Sequence, residues 1–81
     1  MQVKVSFYSF FKELAGCASL QETIAEGSTL DGLLDQVVER FPKLAGMRKS
    51  ALIAVGLEYQ PPGYVLKEGD EVSLFPPVQG G

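Results

Sequence analysis

The chain has 81 residues, 46% of them hydrophobic, and sets ten acidic against seven basic side chains for a formal net charge of −3. That length makes one small domain, burying roughly 60% of the surface its unfolded chain exposes, and the apolar fraction fits an ordinary core rather than disorder. The acidic balance and the scatter of Lys4, Lys12, Arg40, Lys43, Arg48, Lys49 and Lys67 leave no basic stripe for nucleic acid and favour basic protein surfaces as partners.

A single cysteine, Cys17, excludes a disulfide framework and fits a reducing, cytoplasmic setting. The chain contains no histidine, so Cys17 lacks the partner that a nucleophilic thiol needs and reads as a structural group. Met1-Gln2-Val3-Lys4-Val5 has no basic region leading into an apolar stretch, so no secretory signal is expected. No run approaches the roughly 20 apolar residues that span a bilayer, so no membrane association is expected either.

Val3, Val5 and Phe7 alternate with Gln2, Lys4 and Ser6, the period-two pattern of a strand with one buried face. Ser9 reads as the N-cap of a two-turn helix that docks Phe10 and Leu14 on the sheet and stops at Gly16 in a left-handed conformation. Leu20 and Ile24 flank Glu22 in a second alternating run, followed by a turn at Glu26-Gly27-Ser28.

Leu30, Leu33, Leu34, Val37, Val38 and Phe41 then form one continuous apolar stripe of a long amphipathic helix. Ser28 or Thr29 caps it, Asp31 and Asp35 sit toward its positive end and Arg40 at its negative end, and Pro42 ends it. Gly32 is read as the point where this helix approaches the sheet closely. After a loop from Lys43 to Ser50, the apolar run Ala51–Val55 predicts a strand covered on both faces.

Gly56 to Gly63 is a loop or short edge strand, because Pro61-Pro62-Gly63 forbids regular pairing. A tight turn over Leu66-Lys67-Glu68-Gly69-Asp70, with Gly69 at positive φ, leads into the last strand, Glu71–Phe75. Val72 and Leu74 point inward there and Phe75 outward. The order predicts an α+β fold, a small mixed sheet with one main helix packed on one face. Residues 1–75 form the domain and residues 76–81 a flexible tail.

No side-chain constellation supports stand-alone catalysis. There is no Gly-rich phosphate loop, no metal-spaced cluster and no nucleophile beside a base; Glu68, Asp70 and Glu71 read as a solvated charged turn. What remains is the end of the chain, Pro76-Pro77-Val78-Gln79-Gly80-Gly81. The prolines hold the backbone extended, so six residues project up to roughly 20 Å at about 3.3 Å each. The glycines let the end pass through a narrow channel. A diglycine terminus contributes nothing to packing, but it makes sense if the carboxylate of Gly81 is the working group. Because a carboxylate is unreactive toward nucleophiles, an adenylating partner is implied.

With these residues in place, the chain resembles the MoaD branch of the MoaD/ThiS sulfur-carrier family, the ubiquitin-like small subunits of molybdopterin synthase. The resemblance covers the whole chain. It rests on Val3-Lys4-Val5 with Phe7, on Phe11-Lys12-Glu13-Leu14 with Gly16, on Thr29-Leu30 with Leu33, and above all on Leu66 to Val72 running into Phe75-Pro76-Pro77-Val78-Gln79-Gly80-Gly81.

It implies a β-grasp fold and a carrier that binds no cofactor of its own. A MoeB-like partner using ATP and magnesium would adenylate Gly81. A cysteine desulfurase or rhodanese-like donor would then supply sulfur to make the thiocarboxylate. The charged carrier would dock on a MoaE-like large subunit through Phe75, Pro76, Pro77, Val78, Gln79 and Gly80, and its sulfur would build the dithiolene from cyclic pyranopterin monophosphate. The catalytic side chains would belong to the partners. Gly56 and Pro61-Pro62-Gly63 depart from the usual pattern of relatives, which bears on loop geometry rather than on the tail. The same carrier chemistry in thiamine or cysteine synthesis, a ubiquitin-like protein modifier, and an interaction domain with an inert tail are the alternatives.

Overall fold

The computed structural model describes residues 1–77, apart from the side chain of Met47. Strands β1 (Gln2–Phe7), β2 (Ser19–Thr23), β3 (Leu52–Val55), β4 (Glu58–Tyr59) and β5 (Glu71–Phe75) form one sheet in the order β2-β1-β5-β3-β4. The central pair, β1 and β5, is parallel; the other neighbours are antiparallel. Helices α1 (Phe10–Ala15) and α2 (Leu30–Arg40) and a 3-10 helix over Pro42–Met47 complete the chain. The α+β expectation of a mixed sheet under one main helix holds.

Alternation sets which face of each strand is buried. Val3, Val5 and Phe7 of β1 and Val72 and Leu74 of β5 point into the core and are at most 4% exposed. The stripe of α2 meets them, with Leu30, Leu33, Leu34 and Val37 buried and Val38 and Phe41 half-buried against the same cluster. Burial of each such side chain contributes about 1.5–3 kcal/mol, so α2 is held by its stripe rather than by helix propensity.

The N-terminus of α2 is satisfied from two directions. Thr29 Oγ1 accepts from the Gly32 amide at 3.2 Å. The carbonyls of Tyr64 and Pro62 accept from the amides of Leu30 and Asp31 at 2.9 and 3.0 Å. Pro61-Pro62-Gly63 therefore does more than interrupt pairing: its irregular backbone supplies acceptors to the otherwise orphaned first turn of the helix.

Several expectations are corrected. The buried residues of α1 are Phe11 and Ala15, whereas Phe10 is 37% exposed and Leu14 half-buried. Both pairs are four apart, so the sequence offers two equivalent stripes, and the turn entering the helix selects one. Ser9 is not an N-cap in the usual sense: it sits at φ 56°, ψ −138° and its side chain makes no capping bond. The Tyr8 carbonyl accepts from the Phe11 amide at 3.2 Å, so Ser9 is a corner of a tight turn.

Gly32 is exposed, and a Cβ there would meet only Thr29 Oγ1 at 3.7 Å, so it mediates no close approach to the sheet. The segment after Pro42 is no featureless loop. Its 3-10 helix buries Leu44, and Arg48 just beyond it binds Asp31 and Asp35 on α2. The hydrogen bond to Asp35, then that to Asp31 and the charges of both carboxylates, raise the Arg48 pKa against an opposing desolvation.

Glu22 shares the inner face of β2 and is 1% exposed. Gln36 donates to its Oε2 at 2.7 Å, and Arg40 Nε lies 3.1 Å from its Oε1, close enough to pair but off-line for a hydrogen bond. A buried carboxylate needs such partners, and α2 supplies them one turn apart. Gly16 and Gly69 adopt the predicted positive φ, 78° and 82°.

Candidate functional site: the open sheet face at the end of the last strand

The strand that leads toward the C-terminus is the middle one of the five. β5 is paired along both edges, with β1 at Lys4–Phe7 and with β3 at Leu52–Val55. Its end is thus fixed more firmly than that of an edge strand. Val72 and Leu74 anchor it in the core, which turns Ser73 and Phe75 to the face not covered by α2.

Register then determines the neighbours of Phe75. Leu52 is directly opposite it on β3, Ala54 opposite Ser73, and Tyr59 opposite Ala54. All lie on the open face, so β3 is not covered on both faces as its apolar run predicts: Ile53 and Val55 meet the core, and Leu52 and Ala54 face away from α2. Ala54, Gly56, Leu57, Tyr59 and Phe75 line a shallow depression of about 290 Å³. Leu57, at the tip of the β3–β4 hairpin, is fully exposed, and Tyr59 is 68% exposed. On the other side, the Tyr8 ring stacks on Phe75 with centroids 4.6 Å apart and planes 15° from parallel. The result is an aromatic and aliphatic strip with Phe75 near its middle.

Of the predicted partner-binding residues, Phe75, Pro76 and Pro77 are described, all half-buried, and the two prolines follow β5 directly. Val78, Gln79, Gly80 and Gly81 lie outside the described residues. The acidic turn serves the backbone: Glu68 Oε1 accepts from the Gln2 amide at 3.0 Å and Asp70 Oδ2 from the Lys67 amide at 2.9 Å. Among the described residues, no group of three or more His, Cys, Asp or Glu side chains converges on a common point, and no helix is long and apolar enough to cross a membrane. Cys17 packs half-buried against the core.

Sequence reading missed Tyr8, Leu57 and Tyr59. Tyr8 was legible in principle, because extending the alternation of Gln2, Lys4 and Ser6 by one step places it outward beside Phe75. Leu57 and Tyr59 carried no such signal; their place follows from the hairpin register.

This sheet order, with α2 on one face and β5 as the central strand, defines a ubiquitin-like β-grasp domain. A family model described as the ThiS family matches residues 5–81, and the chain belongs to that family. Among curated proteins it is similar to the molybdopterin synthase sulfur carrier subunit of Chlamydomonas reinhardtii, 34% identical over 100% of both chains. Among solved structures it is similar to a putative molybdopterin converting factor subunit 1 from Pyrococcus furiosus. That match has a TM-score of 0.89 and 29% identity, and covers 96% of this chain and 99% of the other. It also matches a chain in a complex of subunits 1 and 2 of the molybdopterin-converting factor from Helicobacter pylori, with a TM-score of 0.71, 24% identity and full coverage of both chains.

Proposed function

We propose that this chain is the sulfur carrier subunit of a molybdopterin synthase, with the carboxylate of Gly81 as its reacting group. The observation that carries the reading is the placement of β5. The strand leading to Pro76-Pro77-Val78-Gln79-Gly80-Gly81 is clamped at the centre of the sheet and ends within an open apolar strip. A partner seated on that strip receives the chain end at a fixed starting point, which limits the entropy lost on insertion. The similarity over the full length to a sulfur carrier subunit supports the same reading.

In this mechanism residues 1–75 are the handle and residues 76–81 the arm. A MoeB-like partner binds ATP and magnesium and transfers AMP to the Gly81 carboxylate, releasing pyrophosphate. The persulfide of a desulfurase- or rhodanese-type donor attacks the adenylated carbonyl and displaces AMP, and a thiol then reduces the acyl disulfide, forming a disulfide with the donor sulfur and leaving the thiocarboxylate. The charged carrier docks its strip on a MoaE-like large subunit, and the thiocarboxylate gives its sulfur to cyclic pyranopterin monophosphate. Phe75, Leu57 and Tyr59 act as docking groups, consistent with the dominance of aromatic anchors at interfaces. This chain contributes a co-substrate, and the side chains that catalyse each step belong to the partners.

The test is intact-mass measurement after incubation with the adenylating enzyme, ATP, magnesium and a sulfur donor. One sulfur-for-oxygen exchange at Gly81 supports the carrier reading. A Gly81–lysine conjugate as the sole product supports a protein modifier instead, and an unchanged mass defeats both.

A further inference from the structure

Among the described residues Ser9 is the one non-glycine residue with positive φ, and it lies beside the strand that carries the tail. Serine at φ 56°, ψ −138° is strained; such strain persists where the surrounding structure enforces it, and strained residues cluster at functional sites. Here the strained turn has a visible consequence. It lets β1 run one residue beyond its core-facing pattern, so that the Tyr8 amide donates to the Leu74 carbonyl at 3.2 Å, extending the β1–β5 pairing past Phe7 and Leu74. The chain then reverses at Ser9 into α1, which leaves the Tyr8 ring stacked on Phe75.

Core packing does not account for this arrangement. Tyr8 is 45% exposed, and neither Tyr8 nor Phe75 belongs to the core cluster. The stack and the added hydrogen bond instead act on the last two residues of β5, immediately before Pro76.

We infer that Tyr8, held by the strained Ser9 turn, is a positioning residue: it fixes the Phe75 ring and the end of β5, and so sets the direction in which the reactive chain end leaves the domain. The inference rests on the reading that the Gly81 carboxylate is the reacting group. It adds that the open strip is preorganised from within the chain before any partner binds. The effect of Tyr8 on the chain end runs through Phe75.

The test combines a spectroscopic readout on the free protein with the kinetics of adenylation. In the unaltered chain the stacked Tyr8 ring shifts the Phe75 ring-proton resonances upfield. Tyr8→Ala and Ser9→Val abolish that shift, and Tyr8→Phe retains it. With the adenylating enzyme, Tyr8→Ala raises the KM for the carrier about 3- to 10-fold with little change in kcat, the equivalent of one stacked aromatic pair, and Tyr8→Phe restores it.

A double-mutant cycle separates positioning from contact. In a Phe75→Ala background, Tyr8→Ala adds no further rise if it works through Phe75. Independent, multiplying effects, an unchanged KM in Tyr8→Ala, or an unshifted Phe75 ring in the unaltered chain would each overturn the inference. Tyr8→Ala leaves the backbone of the turn intact, so it stays decisive even if Ser9→Val does not fold. Failure of the unaltered chain to be adenylated at all defeats the proposed function instead, and the Phe75 resonances still decide the geometry.

Discussion

Replacing Arg40 with alanine removes the cation paired with a carboxylate that is 1% exposed. Stripping one partner from a fully buried ion pair costs about 3–5 kcal/mol. Two features of the structure reduce that figure. Arg40 is 55% exposed, so water already weakens its attraction and enters when the side chain is gone. Gln36 still donates to Oε2 at 2.7 Å. The expected cost is about 1–2 kcal/mol, which for a domain of this size lowers Tm by roughly 4–16 °C.

Glu22→Leu behaves differently, because it replaces a desolvated charge with an apolar group facing the core, and it is expected to be neutral or stabilising. In that background Arg40→Ala costs almost nothing. Thermal and urea unfolding of the two single variants and the double variant measure the coupling. An Arg40→Ala cost that is the same with and without Glu22 would refute the claim that the pair latches α2 to β2.

Ser9→Gly removes a backbone strain of about 1–3 kcal/mol and adds roughly 0.5–1 kcal/mol of chain entropy to be lost on folding. The expected net gain of about 1 kcal/mol reads out as a higher Tm, and a lower Tm contradicts the assigned turn. Leu57→Asp alters a fully exposed side chain, so stability stays within about 0.5 kcal/mol; binding to the large subunit, followed by calorimetry, is expected to weaken at least about tenfold if the hairpin tip docks there. Phe75→Ala loses the ring stack at about 0.5–1.5 kcal/mol of stability, and its adenylation and sulfur transfer fall while the fold persists by circular dichroism.

The strands, the long helix and the inward or outward sense of β5 were legible because each rests on periodicity, which depends on local geometry alone. Phe75 was legible for the same reason, lying one step out of phase with Val72 and Leu74. The phase of α1 was not, since Phe10 with Leu14 and Phe11 with Ala15 satisfy the same spacing and only the conformation of Ser9 decides between them. Burial of Glu22 was likewise hidden: it depends on Gln36 and Arg40 arriving from a helix 14 and 18 residues away. The apolar strip around Phe75 comes from four chain segments meeting in register, so Leu57 and Tyr59 carried no local mark. The diglycine end is the opposite case: the proposed role of Gly80 and Gly81 comes from the sequence, and the fold describes the strand that precedes them.

The most direct test of the account pairs the unaltered chain with one extended by a single residue after Gly81. Both are given the adenylating enzyme, ATP, magnesium, a sulfur donor, the large subunit and cyclic pyranopterin monophosphate, and molybdopterin formation is followed. The account predicts conversion with the unaltered chain and none with the extended one, whose Tm is unchanged. Sulfur transfer by the extended chain would contradict the claim that the terminal carboxylate of Gly81 is the reacting group.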